Sequence, residues 1–438
     1  MKKTSTLVPL LIIGALFFIF GFVTWINGAL IPFMKTINEL TTTQAYFVAT
    51  ASYISFVVMA IPSSAILTKI GYRKGMSLGL IIMAAGALVF IPAANARAYW
   101  LFLVAIFIQG AGMTLLQTAS NPYVTILGPI ESGAKRIAMM GIANKVAGML
   151  GSIIFGALLL SGIDEVNDKL KTVTGAEKNQ LLDTMADSVF MPYLVMAIVL
   201  FLLGIMINKA PLPHVEAEIK EDDKDSGATS KTSILQYPYL ILGVIALFFY
   251  VGVEVIAGDS IIAYGLSLGI PIEQAKGFTA YTLTAMVGTY AVGVFLIPKY
   301  ISQTTALKSS AIFGIIISLL IVTTADFTSS LTSVLLVASL GIANALVWPA
   351  VWPLALNGLG KFTKIGSALL IMGISGGAII APLYGNLVDK LHNGYLEEGL
   401  TEAVATATSH NQGYWILIPS YIVILFFAFK GHKIKSWK

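Results

Sequence analysis

Between Ala15 and Phe33 the chain reads ALFFIFGFVTWINGALIPF, a run in which Asn27 is the one strongly polar side chain. A bilayer's hydrocarbon core asks for about 20 apolar residues per helix. An asparagine inside such a helix costs free energy unless it is paired or meets a polar ligand. The run returns 231 residues later, where ALFFYVGVEVIAGDSI (Ala246 to Ile261) repeats its ALFF start and sets Gly252 against Gly21. The same offset lays GAGMTLLQTASNP (Gly110 to Pro122) on GIANALVWPAVWP (Gly341 to Pro353). Two separated matches at one offset point to two copies of one half, with polar groups at corresponding places in each.

With 57% hydrophobic and 11% charged residues and a mean hydropathy of +0.84, a soluble fold is excluded. Twelve spans are expected, at about 8–34, 43–68, 76–94, 98–126, 136–161, 189–208, 236–263, 274–298, 305–323, 329–356, 364–387 and 412–431. The fold class is therefore all-α integral membrane, with twelve transmembrane helices in two six-helix pseudo-symmetric halves. The halves are placed at 1–208 and 236–438. The stretch between them, 209–235, mixes both charges with Pro, Gly and Ser and reads as a solvated linker. The first span follows Lys2 and Lys3 like a signal peptide, but it is too long, lacks a small-residue cleavage site and has a counterpart in the second half. Zero cysteines exclude disulfides, thiol catalysis and cysteine metal sites.

Positive charge orients the chain. If the N-terminus is cytoplasmic, nineteen of the 27 Lys and Arg residues lie on the inner side, so both termini are expected there. The net +5 is this bias and gives no nucleic-acid signal. Gly71-Tyr72-Arg73-Lys74-Gly75, between spans two and three, reads as a basic turn, either an anchor or a gate loop. Asp164 to Asp187 and His392 to His410 read as the two sizeable outer loops, and all four histidines are placed in loops or tails.

Against this apolar background the polar residues stand out. Gln117 and Asn121, four apart, share a helix face, and Pro122 frees a carbonyl nearby. Asn144 and Lys145 lie in span five, with Lys145 about 13 Å past Arg136 at 1.5 Å per residue. A lysine at that depth needs a carboxylate, an aqueous cavity or a depressed pKa. Glu254 and Asp259 in span seven diverge by about 140° on an ideal helix. A break near Gly252 and Gly258 would let both line one cavity, while Asp259 near an interface could simply be hydrated. Asn344 and Trp348 share a face in span ten, and Trp348 falls on Gln117 under the 231-residue offset.

Charge counting gives the mechanism its outline. Lys145 can neutralise one carboxylate; the other must then bind a proton or metal cation, or sit in water. A carboxylate that alternates between cation-bound and free is what ion-coupled transport requires. The amides Asn27, Gln117, Asn121, Asn144 and Asn344 donate and accept together, as sugar hydroxyls do. Trp348 offers a flat face suited to a pyranose ring. Substrate binding is thus expected at Asn27, Gln117, Asn121, Asn144, Lys145, Asn344 and Trp348, and cation coupling at Glu254 and Asp259.

Twelve spans arranged six and six about an inner linker resemble the major facilitator superfamily. Ala15–Phe33, NPYVTILGP (Asn121–Pro129) and the NKVAG around Lys145 resemble the fucose permease family within it, closest to its bacterial glucose/galactose branch. The resemblance implies uptake of a monosaccharide across a bacterial inner membrane by alternating access, driven by a cation gradient. Fucose permeases carry an aspartate in the first span and a glutamate in the fourth, where this chain has Gly28 and Gln117. The family's proton-carrying pair is therefore missing. The glucose/galactose branch is associated with sodium, so symport of a glucose-, galactose- or mannose-type sugar with Na⁺ at Glu254 and Asp259 is expected, with H⁺-coupled symport of a fucose- or N-acetylglucosamine-type sugar through Glu254 or Asp259 as the alternative. No other cofactor is expected. The expected partners are a neutral sugar, the coupling cation and the bilayer, without nucleic acid, and the chain is expected to be a monomer. No nucleophile–base set supports an enzyme, and the linker lacks the folded domain that a signalling receptor would need.

Overall fold

The spans are set by the bilayer's length requirement, and twelve helices long and apolar enough to cross a membrane are present: Pro9–Ile37, Thr42–Leu67, Lys69–Asn95, Tyr99–Ser120, Met139–Leu159, Gly175–Lys209, Pro238–Asp259, Ile272–Leu296, Gln303–Thr324, Ser330–Leu356, Ala368–Glu397 and Glu402–Lys433, numbered spans 1 to 12. The structure is a computed structural model that describes residues 7–126, 133–160, 162–210, 212, 233–297, 299–324, 329–359 and 362–437. Most of the linker expected at 209–235, and the side chains of Asn27 and Asn121, lie outside the described residues. The large side chains exposed on the spans are apolar, among them Ile61, Met191, Met206 and Phe295, as a surface facing lipid tails requires.

Several expected boundaries shift. Spans 2 and 3 form one nearly continuous helical stretch, Thr42–Asn95, kinked at Gly71, whose φ of 76° and ψ of 168° favour glycine. The outer segment after span 5 is not loop: it folds into helices Ile163–Leu170 and Gly175–Asp187. Span 11 runs to Glu397 and span 12 starts at Glu402, so His392 and His410 sit in helices, and His410 is buried. Apolar composition marks where lipid contact ends. It does not mark where a helix ends, and these helices rise above the apolar band.

Several spans are broken by tertiary demands. Span 1 turns at Ile26, between helices Leu7–Trp25 and Asn27–Ile37. Span 10 turns at Leu346, between Ser330–Ala345 and Val347–Leu356. Span 7 is unbroken to Asp259 and kinks only at Ser260 before Ile261–Ser267. The break expected near Gly252 and Gly258 is thus absent, because those glycines serve close packing instead. A Cβ on Gly252 would overlap Ile380, and one on Gly258 would overlap Trp25. On an unbroken helix Glu254 and Asp259 stay about 140° apart.

The two halves, spans 1–6 and 7–12, meet along span 2 against span 11 and span 5 against span 8. At the face opposite the chain termini, the distal face, this seam is closed. Asp389 of span 11 accepts hydrogen bonds from the Thr42 N–H at 3.2 Å, the Thr43 N–H at 2.8 Å and the Thr43 hydroxyl at 2.6 Å. A carboxylate thereby caps the N-terminus of span 2 from the other half, where free N–H groups and the helix dipole favour negative charge. Lys35 of span 1 donates to the Thr42 hydroxyl at 3.0 Å beside it. Below, Tyr46 packs edge-on against Tyr384 at 5.5 Å, and the Thr50 hydroxyl donates to the Ala378 carbonyl at 2.7 Å.

Candidate functional site

Lys145 is the deepest cation of span 5, and the fold brings Glu254 of span 7 to it. Lys145 Nζ donates to Glu254 Oε1 at 2.7 Å, with the residues only 8% and 9% exposed. The pair crosses between the halves. Lys145 Nζ also stands 4.4 Å from the ring centre of Trp25, the last residue before the turn in span 1, and a cation over an indole face is further stabilised. The indole is wedged between Gly148 of span 5 and Gly258 of span 7, at each of which a Cβ would overlap it. Leu283, Met286, Tyr290 and Ala345 complete this small central cluster.

Around the carboxylate the second half supplies tyrosines. Tyr250, one turn before Glu254, together with Tyr290 and Tyr421, lies within electrostatic reach of it. Tyr421 donates to Asn344 Oδ1 at 2.8 Å, while Asn344 Nδ2 is buried without a partner. Trp348 is half-buried, stacked on Trp352 at 5.2 Å and 28° and tilted toward Tyr250 at 6.4 Å. Asn144 is half-buried and donates from Nδ2 to the Phe17 carbonyl at 3.3 Å, so part of its capacity is spent holding span 5 to span 1.

The expected residues therefore separate. Lys145 and Glu254 meet, with Asn144 adjacent and Asn344 and Trp348 linked to them through Tyr421 and Tyr250. Gln117 is half-buried in span 4, and the side chains of Asn27 and Asn121 lie outside the described residues. Asp259 stands apart. It is 1% exposed, its Oδ2 has no hydrogen-bond partner, and it lies at the distal end of span 7. It is neither paired with Glu254 around one cavity nor hydrated at an interface. Among the described residues no group of three His, Cys, Asp or Glu side chains is arranged to hold a metal ion, and Glu254 is engaged by Lys145.

Sequence reasoning passed over Trp25, Tyr46, Tyr250, Tyr290 and Tyr421. A signal for them was present: a tyrosine deep in an apolar span carries a hydroxyl that wants a partner, as a deep asparagine does.

Comparison with known proteins agrees with this architecture. The model of the Major Facilitator Superfamily matches residues 13–391. The glucose/galactose transporter of Brucella abortus is 34% identical over 381 residues, covering 86% of each chain. The L-fucose-proton symporter of Escherichia coli is 28% identical over 394 residues, covering 90% of this chain and 89% of the symporter. Among solved structures, FucP in the outward conformation superposes with a TM-score of 0.71 at 24% identity, over 99% of this chain and 100% of its own. A bacterial homologue of the lysosomal transporter Spinster, inward-facing and occupied, gives 0.70 at 16% over the whole of both chains. Identities this low attest to the fold alone. Taken with the matched sequence, they place the chain in the major facilitator superfamily, among the relatives of bacterial glucose/galactose transporters and L-fucose-proton symporters.

Proposed function

We infer that the protein is a secondary active symporter, which takes up a neutral monosaccharide of the glucose, galactose or mannose type together with a cation by alternating access. The observation that carries this reading is the charge balance of the interior. Lys145 and Glu254 satisfy one another, while Asp259 is buried with an oxygen left without a partner. A buried carboxylate with no countercharge is too costly to stay bare, so it must take up a cation. A carboxylate that is obliged to load and unload is a coupling site. The sugar would lie in the central region between the halves, against the Trp348–Trp352 face and within reach of Asn144, Asn344 and Gln117. Trp25 and the tyrosines around Glu254 would line it.

The proton is the coupling ion that best fits a single carboxylate, and it agrees with relatives named proton symporters. A sodium reading retains one observation in its favour. The Thr279 and Thr282 hydroxyls bond to the Gly258 and Ala257 carbonyls at 2.8 and 3.1 Å, which sets hard oxygens along the helix end that holds Asp259. By the positive-inside bias, the distal face is the outside of a bacterial inner membrane, with both termini cytoplasmic.

Uptake of radiolabelled glucose into proteoliposomes, with a pH gradient in one arm and a Na⁺ gradient in the other, tests the reading. Accumulation under the pH gradient is the expected result. Accumulation under Na⁺ alone would transfer the site to sodium, and equilibration without accumulation in both arms would overturn symport.

A further inference from the structure

At the mouth of the distal seam lies a cavity of about 370 Å³ whose lining shares no residue with the central site. Its size falls within the range of small-molecule pockets, about 300–1,000 Å³. Both halves wall it. Lys35 and Thr36 come from the outer helix of span 1, Asn27–Ile37, and Ala263 and Ser267 from Ile261–Ser267, the helix beyond span 7 that the 231-residue offset lays on it. Asn167 of helix Ile163–Leu170 and Thr406 of span 12 add polar groups from either half. Tyr46 also lines the cavity; it packs against Tyr384 at 5.5 Å, and Tyr384 lies 5.3 Å from Tyr414, so that three rings roof the seam.

The walls are pinned. Glu39, on the cavity's rim, is a non-glycine residue with a φ of 51°, and it pairs with Lys178 of helix Gly175–Asp187. Backbone kept in so sparse a region is fixed by its surroundings, and such positions gather at ligand sites. From the second half, Glu273 accepts from the Gly162 N–H at 3.4 Å, at the start of the helix that carries Asn167. The charges nearby cancel, since Lys178 answers Glu39 and Asp389 lies within electrostatic reach of Lys35. A small ion gains little from such balance, whereas a neutral hydroxylated ligand finds partners. Lys35 spends one of its three donors on Thr42. The Ser267 and Thr406 hydroxyls donate to the Tyr264 and Glu402 carbonyls, each at 2.7 Å, and keep lone pairs that can accept. Asn167 brings an amide that both donates and accepts. Ile31, Pro32 and Leu266 give an apolar side for the C–H face of a pyranose ring.

We propose that this cavity is a second monosaccharide site, open to the outside, and that sugar bound there holds the carrier closed at its distal face. This rests on the reading of the protein as a sugar carrier whose distal face is outside. The two walls belong to different halves, so the site is complete only while the seam is closed. When the halves part, a ligand in it loses one wall. A ligand that binds one state alone multiplies the weight of that state by 1 + [L]/Kd. Sugar in the outer site thus delays return to the distal-open form, which is the form that loads the central site from outside. Outer sugar has opposite effects at the two sites: it feeds uptake through the centre and restrains it from the mouth. A carrier built this way caps its own intake when sugar is abundant.

Initial rates of radiolabelled glucose uptake test the outer site. They are read on full-length protein in right-side-out membrane vesicles, across a series of outer glucose concentrations. Combined pH and Na⁺ gradients drive uptake whichever ion couples, and betaine keeps the osmolarity constant. The wild-type rate is expected to pass through a maximum and then fall, by about twofold where outer glucose equals the Kd of the outer site. Asn167→Ala removes one hydrogen-bonding group, so the falling limb should move about five- to tenfold higher in concentration. Ala263→Phe fills the cavity and should erase the limb. Neither residue belongs to the central site, so both variants should keep the wild-type KM, which also verifies that they fold. A limb that stays in place in either variant overturns the proposal, as does a KM that shifts along with it. Saturable wild-type uptake that rises to a plateau with no falling limb defeats the outer site alone. Absence of saturable uptake of glucose, galactose and mannose alike defeats the reading as a sugar carrier, and the outer site with it.

Discussion

Lys145 and Glu254 meet at 2.7 Å in the interior, one from each half of the molecule. Removing one member of a buried pair leaves the other uncompensated, at a cost of about 3–5 kcal/mol. Lys145→Ala and Glu254→Gln are each expected to abolish sugar accumulation and to lower the unfolding temperature. The Lys145→Ala/Glu254→Gln double variant, with no stranded charge, should recover most of the stability but not the accumulation. Thermal unfolding in detergent and proteoliposome uptake measure the two effects, and a double variant no more stable than the singles would show that the pair is not coupled.

Asp389 holds the distal seam by accepting from Thr42 and Thr43. Asp389→Asn keeps the size but loses the charge that the helix N-terminus favours, worth about 1 kcal/mol or somewhat more. The balance should shift about five- to tenfold toward the distal-open form. The chain has no cysteine, so spin labels at Phe47→Cys and Leu383→Cys, exposed positions next to Tyr46 and Tyr384, read this directly, and an unchanged distance distribution would mean that the seam is held elsewhere.

Gly148 and Gly258 clasp the Trp25 indole so closely that no Cβ fits at either. Gly258→Ala is expected to expel the ring and destabilise the protein by about 2 kcal/mol or more through overpacking. Gly277→Ala is the matched control, since nothing lies within 4 Å of a Cβ there. Comparable unfolding temperatures for the two variants would refute the clasp.

Gln117 is half-buried in span 4 and is assigned to the sugar pocket on its chemistry. Gln117→Ala should raise KM about five- to tenfold with kcat little changed, the signature of one lost ground-state hydrogen bond. An unaltered KM would remove it from the pocket.

Spans and their number were legible because a bilayer imposes one simple requirement, length and apolarity, and composition reports it directly. The repeated ALFF run exposed the two halves for the same reason: duplication leaves its trace in sequence before any packing is considered. Lys145 stood out because a lysine at that depth has few solutions. The sequence alone thus determined a twelve-span duplicated bundle whose interior holds one more carboxylate than cation.

What it did not determine was which carboxylate Lys145 takes. Glu254 and Asp259 lie five residues apart, and only the packing of span 5 against span 7, with span 7 kept helical to Ser260, gives Glu254 to the lysine and leaves Asp259 alone. Nor could the role of Gly258 be read, since a glycine marks a helix break and a close approach equally well; the Trp25 ring decides for the latter. The roof of Tyr46, Tyr384 and Tyr414 gathers residues from three spans and both halves. No local pattern brings them together, because proximity across a bundle follows from how helices cross and not from spacing along any one of them.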